Sequence, residues 1–153
     1  MNWQRIGILL AVVILFPILA LAVLSALSRR PENLGARDGA LAPCPDRPNC
    51  VSSTATTESQ RVDPLNFDGD AAAAMQRLAD IVGAFPRVRI VAQTKTYLHA
   101  EFTSATFRFI DDVEFLAHPA EGRIDVRSAS RVGHSDLGVN RRRVEAIRDR
   151  YGH

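Results

Sequence analysis

The stretch Phe109–Arg131, FIDDVEFLAHPAEGRIDVRSASR, decides the fold. Two alternating runs flank His118–Gly122, HPAEG, whose proline and glycine mark a turn. Val113 and Phe115 share one side of the first run, and Ile124 and Val126 carry the second. A symmetric turn centred between Ala120 and Glu121 sets Glu114 opposite Arg127 and Phe115 opposite Val126, with Asp112 and Arg131 further along the polar side. A slip of one residue would exchange the two sides. The pattern predicts an antiparallel hairpin with one apolar and one charged face. Asp111 breaks it, because it falls among the core-facing residues. A lone buried carboxylate has to be paired, hydrogen-bonded or protonated, unless a bulge at Asp111–Asp112 turns both acids outward.

Working back from this hairpin, the same period of two recurs. Phe107 and Phe109 open the run that continues through Val113 and Phe115; Leu98, Ala100 and Phe102 alternate with Tyr97, His99 and Glu101; Val88, Ile90 and Ala92 alternate with their neighbours. Before these, Met75, Leu78, Val82 and Phe85 fall on one helical stripe, with Asp68 or Asp70 as cap and Gly83 and Pro86 at the end. Val51–Arg61, VSSTATTESQR, reads as irregular. A last helix spans about Asn140 to Tyr151, with Val144, Ile147 and Tyr151 inward. The expected fold is α+β: an antiparallel sheet of about four strands packed by two helices on one face. His99 and His118 read as surface residues of a strand and a turn.

Arg141, Arg142 and Arg143 follow Asn140, a good helix cap, and so stand in a first turn, where the helix dipole favours acids. Something negative must be near. The segment from Pro43 to Gly122 holds 7 basic and 11 acidic residues, and the segment from Arg123 onward holds 8 and 4, so the two halves attract. One reading folds one or two of these arginines onto Asp111, Asp112 and Glu114 as a lock between last helix and sheet, with the third in solvent. A second makes the arginines, the glycine loop and the helix N–H groups a site for phosphate or carboxylate. A third is hydrolytic, with Asp111, Asp112 or Glu114 and His134; the adjacency of His134, Ser135 and Asp136 is weak support, since triad members normally converge from separate elements. The candidate network comprises Asp111, Asp112, Glu114, Arg127, Arg131, Asp136, Asn140, Arg141, Arg142 and Arg143.

Cys44 and Cys50, in CPDRPNC, are the two cysteines of the chain. A disulfide closing this short ring, contributing about 2 kcal/mol, stands beside free thiols and redox or metal chemistry. Zinc would need two further ligands, and none lies close in sequence. No metal, cofactor or catalytic residue is assigned, and no G-x-S-x-G, H-E-x-x-H or P-loop occurs.

Ile6–Leu27, IGILLAVVILFPILALAVLSAL, carries no charge. A helix of that length reaches about 33 Å, enough for a bilayer core. The chain divides into an anchor at 1–28, a polar linker at 29–42 and a domain at 43–153. A cleaved signal is the competing reading, since Ala20-Leu21-Ala22 has the cleavage-site form, but the apolar run is long for one. A disulfide would place the domain outside the cytoplasm. Arg29, Arg30 and Arg37 after the span, against Arg5 before it, argue the reverse. The expectation is a single-pass membrane protein with an extracytoplasmic, periplasmic domain. Arg5, Arg29, Arg30 and Arg37 against Glu32 and Asp38 account for the net charge of +2, leaving the domain neutral; nucleic acid is therefore an unexpected partner.

Two blocks, Cys44–Ser53 (CPDRPNCVSS) and Asp111–Phe115 with Arg127–Arg131 through Asn140–Glu145, resemble domain of unknown function 1499. The resemblance covers nearly all of Pro43–Tyr151. It implies a small domain, often membrane-associated or exported, found in bacteria and photosynthetic lineages, with no established activity. The expected role is binding or structural, toward an anionic ligand or a partner protein; the hydrolase is the alternative.

Overall fold

The computed structural model describes residues 2–26 and 28–152. It opens with α1 (Trp3–Ala26), a helix long and apolar enough to cross a membrane. Pro17 sits inside it, and side chains such as Ile8, Leu15, Phe16 and Leu24 are exposed. Leu27, the last residue of the expected span, lies outside the described residues.

The sheet has six strands: β1 (Cys50–Ser52), β2 (Leu65–Asn66), β3 (Val88–Gln93), β4 (Tyr97–Thr103), β5 (Ile110–His118) and β6 (Arg123–Ser130). Their order is β1-β6-β5-β4-β3, with β2 also on β6, and every pairing is antiparallel. Consecutive strands joined by short turns dictate this direction. The count exceeds the four expected. β1 and β2 are too short to show alternation, and β1 falls in part of the segment expected to be irregular. They exist because β6 offers its outer edge: Val51 pairs with Ser128 and Leu65 with Ile124.

The β5–β6 register sets Glu114 against Arg127 and Phe115 against Val126. The connecting turn closes at Gly122, in the left-handed conformation at φ 61°. A Cβ there would stand 2.9 Å from the Phe67 carbonyl oxygen, so a side chain is opposed by both backbone and space. β5 begins at Ile110, later than the expected start at Phe107. Arg108 is left-handed at φ 58°, and the Phe109 N–H donates to Ser104 Oγ, so this stretch is a loop. In β3 the register shifts between Ile90 and Ala92, a bulge at the edge of the sheet.

α2 (Ala71–Gly83) is capped by Asp70, whose side chain accepts from the Ala73 N–H at 2.9 Å. Met75, Leu78 and Val82 are fully buried. α3 (Val139–Gly152) buries Val144, Ile147 and Tyr151. Both helices meet the face formed by Leu98, Ala100, Phe102, Val113, Phe115, Ile124 and Val126. Each large side chain buried here stabilises by roughly 1.5–3 kcal/mol. The expected cap Asn140 instead lies within α3, and Asp136 takes the capping role: its carboxylate accepts from the Gly138 and Asn140 N–H groups at 2.9 and 2.7 Å.

The two-layer expectation understates the other face. Residues 29–42, read as linker, run along it. Arg30 reaches Glu101, the Gly35 N–H reaches Glu114, and Leu41 is buried. Cys44 and Cys50 form a disulfide beside this segment.

Candidate functional site

Alternation sends Tyr97, His99 and Glu101 of β4, Asp112 and Glu114 of β5, and Arg127 of β6 to the face away from the helices. Register then decides which of them meet. Glu101 stands opposite Asp112, two like charges side by side. Arg131, just past β6, resolves the conflict: its Nη2 donates to Glu101 at 2.5 Å and to Asp112 at 2.8 Å, and its Nε to Asp112 at 2.8 Å. Arg30 and Arg89 also donate to Glu101, at 2.7 and 2.6 Å. Burial by itself raises the pKa of Glu101; the hydrogen bonds from the three arginines overcome it and hold the carboxyl at about 2. Asp112 is likewise buried, and Arg131 with His99 brings its pKa below the ordinary range. Arg131 is held more firmly charged than usual, first by its bonds to Asp112.

Glu114 is fully buried and takes three donors: Arg127 Nη1 at 3.0 Å, Tyr97 Oη at 2.8 Å and the Gly35 N–H at 2.7 Å. Burial and the neighbouring Glu114 carboxylate push the Tyr97 phenol upward, so it stays protonated and donates. His99, expected at the surface, is buried, with Nε2 2.8 Å from Asp112 Oδ1. His118 is half-buried and pairs with Asp125.

His99, Glu101 and Asp112 place ligand atoms within 4.8 Å of one another, a spacing that would suit a metal. Their surroundings do not. Three guanidinium groups already occupy the carboxylate oxygens, and a cation would be repelled where it has to sit.

The expected acidic cluster does not converge. Asp112 and Glu114 face this network, whereas Asp111 points to the helix side. There Arg143 Nη2 donates to it at 2.5 Å, and the same guanidinium lies 4.7 Å from the Phe102 ring centre. Arg143 Nη1 reaches Asn140 Oδ1, and Asn140 in turn binds Ser128, Ser130 and the Asn49 carbonyl. Arg141 donates to the Ser59 carbonyl and Arg142 to that of Leu137; neither touches the acids. His134 is exposed in its loop, apart from the sealed carboxylates that hydrolysis would require.

An open cleft of about 400 Å³ separates the disulfide loop from the polar face, lined by Asn33, Pro43, Asn49, Asp112, Arg127 and Arg131 among others. Two of its lining residues carry a buried polar atom without a partner, Arg127 at Nε and Asn49 at Oδ1. A larger cleft of about 610 Å³ lies between β2 and the helix ends; of its charged lining, Asp70 caps α2 and Arg77 stacks on Tyr151. Sequence reasoning found Arg127 and Arg131 by parity but missed Tyr97, His99, Glu101, Arg30 and Asn49. The signal present for the first three was their place on the polar side of an alternating strand.

No curated protein matches the chain. A family model does, over residues 40–150, and the chain belongs to the family it describes, protein of unknown function (DUF1499).

Proposed function

We propose that the chain is a membrane-anchored, extracytoplasmic binding module for a small anion of carboxylate or phosphate type, received in the cleft between the disulfide loop and the polar face of the sheet. The observation that carries this reading is Arg127 Nε. Its side chain is 5% exposed, the atom has no partner, and Arg127 is one of the residues that line the cleft. A buried donor without an acceptor costs about 1–3 kcal/mol, more on a charged group. A bound anion would remove that cost. Arg30, Arg89, Arg127 and Arg131 outnumber Glu101, Asp112 and Glu114 in the network, which leaves positive charge for a ligand. The Cys44–Cys50 disulfide supports an oxidising compartment, with residues 1–28 as the anchor and 43–153 as the domain outside.

The test is titration of the detergent-solubilised full chain with inorganic phosphate and with simple mono- and dicarboxylates, followed by thermal unfolding and calorimetry. Binding in wild type that weakens in Arg127→Lys, with unfolding otherwise cooperative, supports the site. No anion shifting the wild-type transition, together with native mass spectrometry showing no retained small molecule, rejects it.

A further inference from the structure

One end of the sheet gathers the loops that lie nearest α1. Phe102 pairs with Asp111, and Asp111 with Ser130, so β4 ends, β5 begins and β6 ends at the same edge. Val88 pairs with Phe102, which brings Arg87 there as well. The loops 104–109 and 131–138 therefore project from one rim. Beside it stand the last turns of α1 and the residue Ser28 beyond them: a groove of about 530 Å³ is lined by Ala22, Ser25 and Ser28 on one side and by Phe107, Arg108 and Ile110 on the other.

The chemistry of this rim is unlike the rest of the domain. Among the described residues, the exposed large hydrophobic side chains beyond α1 are Leu137, 84% exposed, and Val139, 40% exposed. Both belong to this end. Phe107 and Phe109 are half-buried there, ring centres 5.6 Å apart. Arg87, Arg108 and Leu137 all adopt the left-handed conformation, at φ 56°, 58° and 53°. The acids at this end are spent: Asp136 caps α3 and Asp111 holds Arg143. Arg87 donates to the Thr103 carbonyl rather than to a carboxylate and keeps its charge for a partner outside the domain. Exposed apolar groups flanked by such arginines match the boundary between phospholipid headgroups and acyl chains.

We propose that this rim is a membrane-contact surface, with Leu137 and Phe107 entering the headgroup–acyl boundary and Arg87 and Arg108 lying among phosphates. The inference rests on the reading of α1 as a retained anchor. The tether selects the occupant. Arg30 is bonded to Glu101, and only residues 27–29 lie between it and the end of α1 at Ala26. Four extended steps span at most about 14 Å, so the rim cannot leave the vicinity of the bilayer that holds α1. The domain then rests on the lipid surface with a fixed orientation. The turn at Lys95, beyond the far end of β4, points away from the membrane, and the cleft at the disulfide loop opens beside the headgroups.

The experiment uses the full chain in phosphatidylcholine vesicles, with phospholipid brominated near the top of its acyl chains as quencher. Trp3 is the only tryptophan, so W3F gives a silent background. L137W on that background is expected to show blue-shifted emission and a marked loss of fluorescence in brominated vesicles, and F107W the same. K95W, at the opposite end, is expected to show neither. Equal quenching in all three variants, or none in L137W and F107W while the chain floats with the vesicles, overturns the proposal. Failure of the chain to float, or a mass lacking the first 28 residues, instead removes the anchor reading and the contact surface with it.

Discussion

Arg143 Nη2 lies 2.5 Å from Asp111 Oδ2 on the side of the sheet that α2 and α3 cover. One residue further along β5, Asp112 points the opposite way and meets Arg131. Adjacent acids thus serve separate arginines on separate faces. Asp111 ties α3 to the sheet, and Asp112 joins the network beneath residues 30–43.

The tie predicts an asymmetry among the three consecutive arginines. Arg143→Met leaves Asp111 without its partner in a nearly closed site and is expected to cost roughly 3 kcal/mol. Arg142→Ala, which loses one exposed bond to a carbonyl, is expected to change stability by less than about 0.5 kcal/mol. Urea unfolding of the full chain in detergent measures both. A double-mutant cycle with Asp111→Asn should recover much of the Arg143→Met loss as coupling.

Acid should weaken the polar face in a defined window. The folded pKa of Glu101 is about 2, below the value of about 4.3 for a free glutamate. The unfolded chain therefore takes up the proton first as pH falls. The contribution is complete above about pH 4.3 and disappears toward pH 2; Asp112, also lowered, acts in the same direction. Wild-type stability is expected to fall more steeply than that of Glu101→Gln between about pH 5 and about pH 2. Equal slopes would show that Glu101 is not held by its arginines.

The disulfide should matter locally more than globally. Its ring is short, with a sequence separation of 6, so Cys44→Ser with Cys50→Ser is expected to cost about 2 kcal/mol through the unfolded chain. Because Pro43 and Cys44 line the cleft, any anion affinity measured in wild type should fall in the double variant by more than its stability does.

Gly122→Ala is expected to destabilise by more than about 1 kcal/mol, the usual glycine-to-alanine scale where φ is positive, since the Phe67 carbonyl also has to move. Thermal unfolding reads the difference. Gly35→Ala, also at positive φ but with open space around it, should cost less.

How much of this was legible depends on what local pattern can encode. The register of the β5–β6 hairpin is legible to the residue, though not the start of β5, because a turn signal and alternation together fix pairing, and pairing alone sets Glu114 on Arg127. Parity likewise sent Asp111 to the core side. It could not reveal which basic residue answers it, since Arg141, Arg142 and Arg143 differ only in their angle around a helix whose start shifted from Asn140 to Val139. β1 and β2 were invisible: two or three residues hold no period, and their existence depends on the free edge of β6. His99 was misplaced because alternation shows which face a residue occupies and not what covers that face. Its cover comes from residues 29–42, whose one proline, two glycines and charges are also the composition of a tether.

The bulge between Ile90 and Ala92 has a consequence for crowding. On the proposed reading of α1 as a retained anchor, copies diffuse in two dimensions, where a straight, unprotected strand would invite a neighbour to extend the ladder. β3 is that outermost strand, and its spacing of donors and acceptors is broken midway, with charged Arg89 alongside. A second copy approaching β3 edge-on finds no continuous template there, so the bulge guards this edge of the sheet against ladder extension.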